Sequence, residues 1–248
     1  GFLHSLSDIV EEVFGVSPFK ALSADGYYGM TLSPRQLVGV SVFAAGAYEA
    51  LHGGEMHRDI LMKVGHAFVG YWFLPAELQI RIEDPYSFGG RETLAALEAF
   101  LKTGPAVYMG WGNKACGEYA GMVTALAVAA LKALGLRGIV AAGGEDGPRA
   151  EALAGAVFPK DAEGLCKYAQ ANVLFVPAAP HEWLFPRCTC AVHHGGIGTV
   201  GAALRGSVPM VITPCEDKHK LFGQWVETIG AGANAPSLGE LTVEDLVK

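Results

Sequence analysis

Basic residues are scarce in this chain and never gather. Its 18 lysines and arginines stand against 25 acidic residues, for a formal net charge of −7. Without a Lys/Arg cluster the long-range attraction to a phosphate backbone is missing, so no nucleic-acid partner is expected. Long hydrophobic runs are lacking too: the most apolar stretch, 122–136, is broken by Lys132 and is too short to cross a bilayer. No transmembrane segment is expected, although peripheral membrane contact stays open. The five cysteines, at 116, 166, 188, 190 and 215, form no even framework of the secreted type and no signal peptide opens the chain, which points to a reducing, cytoplasmic setting. Gly rather than Met opens the sequence, and Lys248 closes it inside what reads as a starting helix with Glu244 and Asp245 in its first turn. Both ends predict a piece of a longer protein.

What is abundant is apolar side chains, 51% of the residues, with glycine and proline spread between them. From about residue 97 to 211, short apolar β-runs alternate with longer helical patterns, the arrangement of a parallel sheet covered by helices. Strands are predicted at 105–110, 137–142, 172–177, 189–193 and 209–214. Helices are predicted at 118–134, stopped by Gly135, and at 198–205. Residues 1–75 are less regular, with a helical opening at 6–14 and an apolar run at 37–47; the stretch 70–90 reads as an interdomain link. The expected fold is α/β, a Rossmann-like doubly wound parallel sheet over 76–248 preceded by a remnant of another domain over 1–75.

The run His193-His194-Gly195-Gly196-Ile197-Gly198-Thr199 ends a predicted strand and opens a predicted helix. Strand, Gly-rich turn and helix N-terminus make an anion site, because unpaired backbone N–H groups and the positive end of the helix dipole point at one spot. Thr199 and the imidazoles can add donors. A plain strand-to-helix turn with an exposed histidine is the competing reading. Gly196-x-Gly198-x-x-Gly201 also satisfies a dinucleotide fingerprint, with acidic Glu216 after the next strand, so an NAD-linked oxidoreductase is an alternative. The unit comes late in the chain for that role. Upstream, Trp183 lies in a Pro-rich loop before the strand, where an indole can face a flat base; at least two of Trp183, Leu184 and Phe185 are expected to plug the core.

Other groups point less far. His52, Glu55 and His57 match no helical zinc spacing. Cys188 and Cys190 share a strand face with Val192 and turn away from His193, so they read as small buried hydrophobes and no metal site is expected. No nucleophile elbow of the Gly-x-Ser-x-Gly type occurs.

The stretch from Gly70 onward resembles the C-terminal half of GT-B fold UDP-glycosyltransferases, the sterol 3β-glucosyltransferase group in particular. The matching pieces are Gly70-Tyr71-Trp72-Phe73, Gly104-Pro105, Val107-Tyr108-Met109-Gly110, Pro180-His181-Glu182-Trp183-Leu184-Phe185, the His-His-Gly-Gly-x-Gly-Thr run and Gly206-Ser207-Val208-Pro209. The resemblance implies two Rossmann-like domains with a nucleotide-sugar in the cleft, UDP-glucose as donor, no further cofactor, and inverting transfer to a sterol or another lipophilic hydroxyl. It implies that Trp183 stacks on uracil, and that His193, His194, Gly195, Gly196, Ile197, Gly198 and Thr199 hold the diphosphate. Asn113 replaces a serine usual in the family and is kept as a contact. Lys218 and His219 stand where the family's Asp-Gln pair reads the sugar, with Asp217 one place early, so these three are candidate sugar contacts and glucose specificity is open. The catalytic base is implied to precede residue 1, which leaves the chain inactive alone. A nucleotide-binding module without catalysis is a third reading.

Overall fold

The computed structural model describes residues 73–112, 120–141 and 161–248, together with the backbone of 40–41 and 67–68. The chain divides into two compact units, Gly1–Phe73 and Leu74–Lys248. In the first, the two-residue strands Val40–Ser41 and Ala67–Phe68 pair in parallel. The expectations at 6–14, at 37–47 beyond the backbone of 40–41, at 52–57, and at Asn113 and Cys116 lie outside the described residues.

The second unit is built on six parallel strands: β1 (Val107–Gly110), β2 (Gly138–Ala141), β3 (Val173–Val176), β4 (Cys190–His193), β5 (Met210–Ile212) and β6 (Gly232–Asn234). They lie in the order β3-β2-β1-β4-β5-β6, that of a doubly wound nucleotide-binding fold. The expected α/β class holds, and five strands fall where apolar runs predicted them. The sixth, Gly-Ala-Asn at the sheet edge, is too short and small to have an apolar signature.

Side-chain alternation sorts the two faces. In register, Val107 lies opposite Cys190 and Met109 opposite Val192. These four join Trp111, Val140, Leu238 and Leu241 in one core, with Cys190 at its margin. Cys188 and Cys190 are half-buried rather than buried as expected, and desolvation pushes their thiols up, Cys188 to about 12. The same alternation puts Tyr108, Ala191 and His193 on the opposite face.

Helix α1 is Ala76–Gln79, α2 is Pro85–Phe88 and α3 is Gly90–Lys102. The stretch read as a link is thus partly helical, because Asp84-Pro85 and the left-handed Gly89 and Gly90 (φ +90° and +67°) punctuate it into turns. Helix α4 (Ala120–Leu134) carries the most apolar sequence in the chain. It is buried on more than one side: Val123, Leu126, Ala127 and Leu131 face the sheet core, while Ala125 and Val128 meet Leu165 and Ala169 of α5 (Ala162–Asn172). That all-round burial is what its all-round hydrophobicity encodes. Gly135, at φ +64°, ends it as predicted. No helix among the described residues is long and apolar enough to cross a membrane.

Helix α6 (His181–Leu184) and a 3₁₀ turn, Phe185–Arg187, occupy what the sequence presented as a Pro-rich loop. Then come α7 (Ile197–Arg205), α8 (Asp217–Thr228) and α9 (Val243–Val247). Thr242 and Asp245 form a reciprocal capping box on α9.

Candidate functional site

Strands β1 and β4 are neighbours at the centre of the sheet, and the chain leaves them on opposite faces. It goes from β1 to α4, over Met109 and Val192, and from β4 to α7, whose C-terminal end meets Phe185 on the Tyr108 face. Such a switch point opens a crevice beyond the C-terminal ends of the strands, where ligands bind in folds of this type.

The residues predicted for the anion site converge there. His193 ends β4, fully buried, and its Nδ1 accepts the Gly195 backbone N–H at 3.1 Å. Nε2 therefore carries the proton of the neutral ring, and this buried atom has no protein partner. Gly195 stands at φ +88°; a Cβ there would lie 2.7 Å from Ile212 Cγ2. Gly196 is the N-cap of α7, Ile197 its first residue, and Gly198 and Thr199 follow in the first turn with no side-chain cap. Gly198 is exposed and has open space around it, so the helix end presents bare N–H groups.

The His194 ring fits between two glycines, one from each central loop. A Cβ on Gly112, at φ +70°, would lie 3.1 Å from its Cε1, and one on Gly196 would lie 2.5 Å from its Nε2. His219, at the start of α8, packs edge-on against it with ring centroids 4.8 Å apart. Desolvation lowers His194 to about 4, helped by His219 and opposed by a hydrogen bond to the Gly110 backbone and by Glu216. His193 is held well below the usual imidazole value by burial and by its histidine neighbours.

A fourth histidine, His181, belongs to this cluster and was quoted from the sequence without a role. Its Nε2 lies 2.8 Å from the Tyr108 hydroxyl, its ring stacks on Phe185 at 4.6 Å, and desolvation lowers it to about 4. Two more positioning contacts had no sequence signal, since their partners lie about a hundred residues apart. Buried Trp111 donates from Nε1 to Thr213 Oγ1 at 2.6 Å, tying the loop after β1 to the end of β5. Buried Gln79 accepts the Glu182 N–H at 3.1 Å, satisfying a free donor at the start of α6.

Trp183 and the start of α8 are placed differently. Leu184 and Phe185 are fully buried, as expected for two of the three. Trp183 is half-buried, with the Arg187 guanidinium 4.4 Å from the ring centroid over one face. Its neighbour Glu182 forms a two-pronged ion pair with Arg205 at the far end of α7. Asp217 pairs with Lys220 at 3.0 Å and Lys218 with Glu216 at 2.6 Å, both at the surface. Of the three candidate sugar contacts only His219 is turned inward.

Residues 156–247 match the family described as Erythromycin biosynthesis protein CIII-like, C-terminal domain. The sterol 3-beta-glucosyltransferase of Saccharomyces cerevisiae is 32% identical over 189 residues, 72% of this chain and 14% of that protein. The enzyme of the same name from Neurospora crassa is 36% identical over 163 residues, 66% of this chain and 10% of that protein. Among solved structures, a UDP-glucose: anthocyanidin 3-O-glucosyltransferase in complex with UDP superposes with a TM-score of 0.57 at 16% identity, covering 84% of this chain and 42% of that one. This chain carries the C-terminal domain of the GT-B glycosyltransferase fold. It spans about a seventh or less of the length of these curated sterol glucosyltransferases. Within a GT-B domain the Gly196-x-Gly198-x-x-Gly201 spacing belongs to the turn after β4, not to the first βα turn where a dinucleotide fingerprint sits. Glu216, its supposed ribose partner, is the residue before α8 and pairs with Lys218. The oxidoreductase alternative is therefore not favoured.

Proposed function

We propose that this chain is the donor-binding part of an inverting glycosyltransferase that moves glucose from UDP-glucose to a sterol or another lipophilic hydroxyl. The observation that carries this reading is the β4–α7 turn, where a bare helix N-terminus and the buried, unpartnered N–H of His193 Nε2 meet at the central crevice. Inverting transfer makes UDP the leaving group, and charge builds on its diphosphate as the glycosidic bond breaks. Fixed N–H donors that lose no solvent in responding stabilise that charge most. His193, Gly195, Gly196, Ile197, Gly198 and Thr199 supply those donors, and His194 borders them. Trp183 offers the ring face opposite Arg187 to the uracil. Asn113, Asp217, Lys218 and His219 are assigned to the sugar and ribose side, and no residue of the chain is assigned as catalytic base. The names of the relatives support the sterol acceptor.

Calorimetric titration with UDP and with NAD tests this. UDP binds, and His193→Ala and Trp183→Ala each weaken it by about 1 to 3 kcal/mol, as for a charge-assisted hydrogen bond or a base stack. NAD binding, or no UDP binding by the folded chain, would overturn the reading.

A further inference from the structure

The α6 turn that carries Trp183 and the β4–α7 turn are separate pieces of chain, yet one pair of side chains joins them. Tyr108 leaves β1 on the same sheet face as His193 and runs forward along its strand: a Cβ on Gly110 would collide with the Tyr108 hydroxyl, and Gly110 is the register partner of His193. The hydroxyl therefore stands beside the end of β4, where the Gly-rich turn begins. There it meets His181 Nε2 at 2.8 Å. His181 is the first residue of α6, two places before Trp183.

Helix α6 cannot hold its own shape. It has four residues and no side-chain cap, far below the length at which a helix persists in water. Contacts with other elements hold it instead. The His181 ring stacks at 4.6 Å on fully buried Phe185, which the Tyr108 ring meets edge-on at 5.0 Å. Gln79 accepts the Glu182 N–H, and Arg205 binds the Glu182 carboxylate at the end of α7 remote from the Gly-rich turn. Of these polar ties, only the Tyr108–His181 bond runs to the sheet.

We propose that Tyr108 and His181 are positioning residues for base recognition: their hydrogen bond fixes α6, and with it the Trp183 ring, at one distance from the β4–α7 turn. Stacking depends on the spacing and tilt of the rings, so freedom in a one-turn helix weakens it. A platform already in place spares the ligand the cost of ordering it. Base and diphosphate are then met together, by a site whose two ends are tied through β1.

This inference rests on the donor-site reading, and the experiment separates the two. UDP is titrated calorimetrically into Tyr108→Phe, which keeps the ring against Phe185 and removes only the hydroxyl, alone and combined with Trp183→Ala or with His193→Ala. The expected loss of UDP affinity is about tenfold in the wild-type and His193→Ala backgrounds, and less than about twofold once the indole is gone. A hydroxyl that only supported the fold would cost the same in all three. Hydrogen exchange of the wild type, which needs no variant, is expected to show the Trp183 and Leu184 amides protected before UDP is added; both donate to the Pro180 carbonyl, at 3.0 and 2.8 Å. No loss in Tyr108→Phe, a loss that persists without the indole, or amides protected only in the UDP complex would overturn the inference alone. No UDP binding by the folded wild type, or full affinity in Trp183→Ala, overturns the donor-site reading and the inference with it.

Discussion

The β4–α7 turn and the first turn of α8 both border the central crevice, yet they are built on different physics. The former is closely packed where it leaves the sheet: His193 is fully buried, Gly195 has no room for a Cβ, and the His194 ring fills the space that two glycines leave. At α8, Asp217 has 96% of its side chain exposed and Lys218 has 61%, each held by a neighbour within three residues. One turn is preorganised by tertiary packing. The other is a solvated set of local ion pairs, and only His219 ties it to the first. Geometry that must meet an anion without reorganising belongs in the first environment; side chains that vary without unfolding the protein belong in the second.

The strongest way to break this contrast is Gly195→Ala. The left-handed backbone and the contact with Ile212 together cost about 3 kcal/mol in urea denaturation, and UDP binding is lost with it. Acid acts on the same region. His193, His194 and His181 titrate below the usual 6.5 in the folded chain, so on acidification the unfolded chain takes up protons that the folded one resists. Stability is complete above about pH 6.5 and falls toward pH 4, by at least about 3 kcal/mol at pH 4.5. Denaturation midpoints measured across that window check both sign and size. Next is Glu182→Ala, which removes the two-pronged carboxylate from the Arg205 guanidinium and lowers stability by about 2 kcal/mol without changing UDP affinity more than about twofold. The smallest effects belong to α8. Asp217→Ala and Lys218→Ala each change stability by less than about 0.5 kcal/mol, because exposed pairs contribute little. If either of these matched Gly195→Ala, the division between the two turns would be wrong.

Much of the architecture was legible along the chain because its signals are local. Apolar runs bounded by glycine and proline marked five strands, Gly135 marked the end of α4, and the His-His-Gly-Gly run marked the strand-to-helix turn. Helices α5 and α8 were not predicted: only a narrow stripe is buried, Leu165 and Ala169 in one and Phe222, Trp225 and Val226 in the other, and charged residues such as Lys167, Glu163, Asp217 and Lys220 crowd the rest. The turn of α6 was hidden by its prolines, which cap and shape it rather than forbid it.

Sequence alone determined the alternation of β and α, the apolar faces and the Gly-rich helix start, since each is set by periodicity or by residues a few positions apart. It also placed His193 at the end of its strand. Tertiary structure alone decided which histidines meet, and which of Asp217, Lys218 and His219 turns inward. Those outcomes depend on contacts between segments far apart in the chain: Tyr108 with His181, Trp111 with Thr213, and Gly112 with His194. An imidazole in water has little reason to stay unprotonated in mild acid; burial against these particular neighbours supplies one.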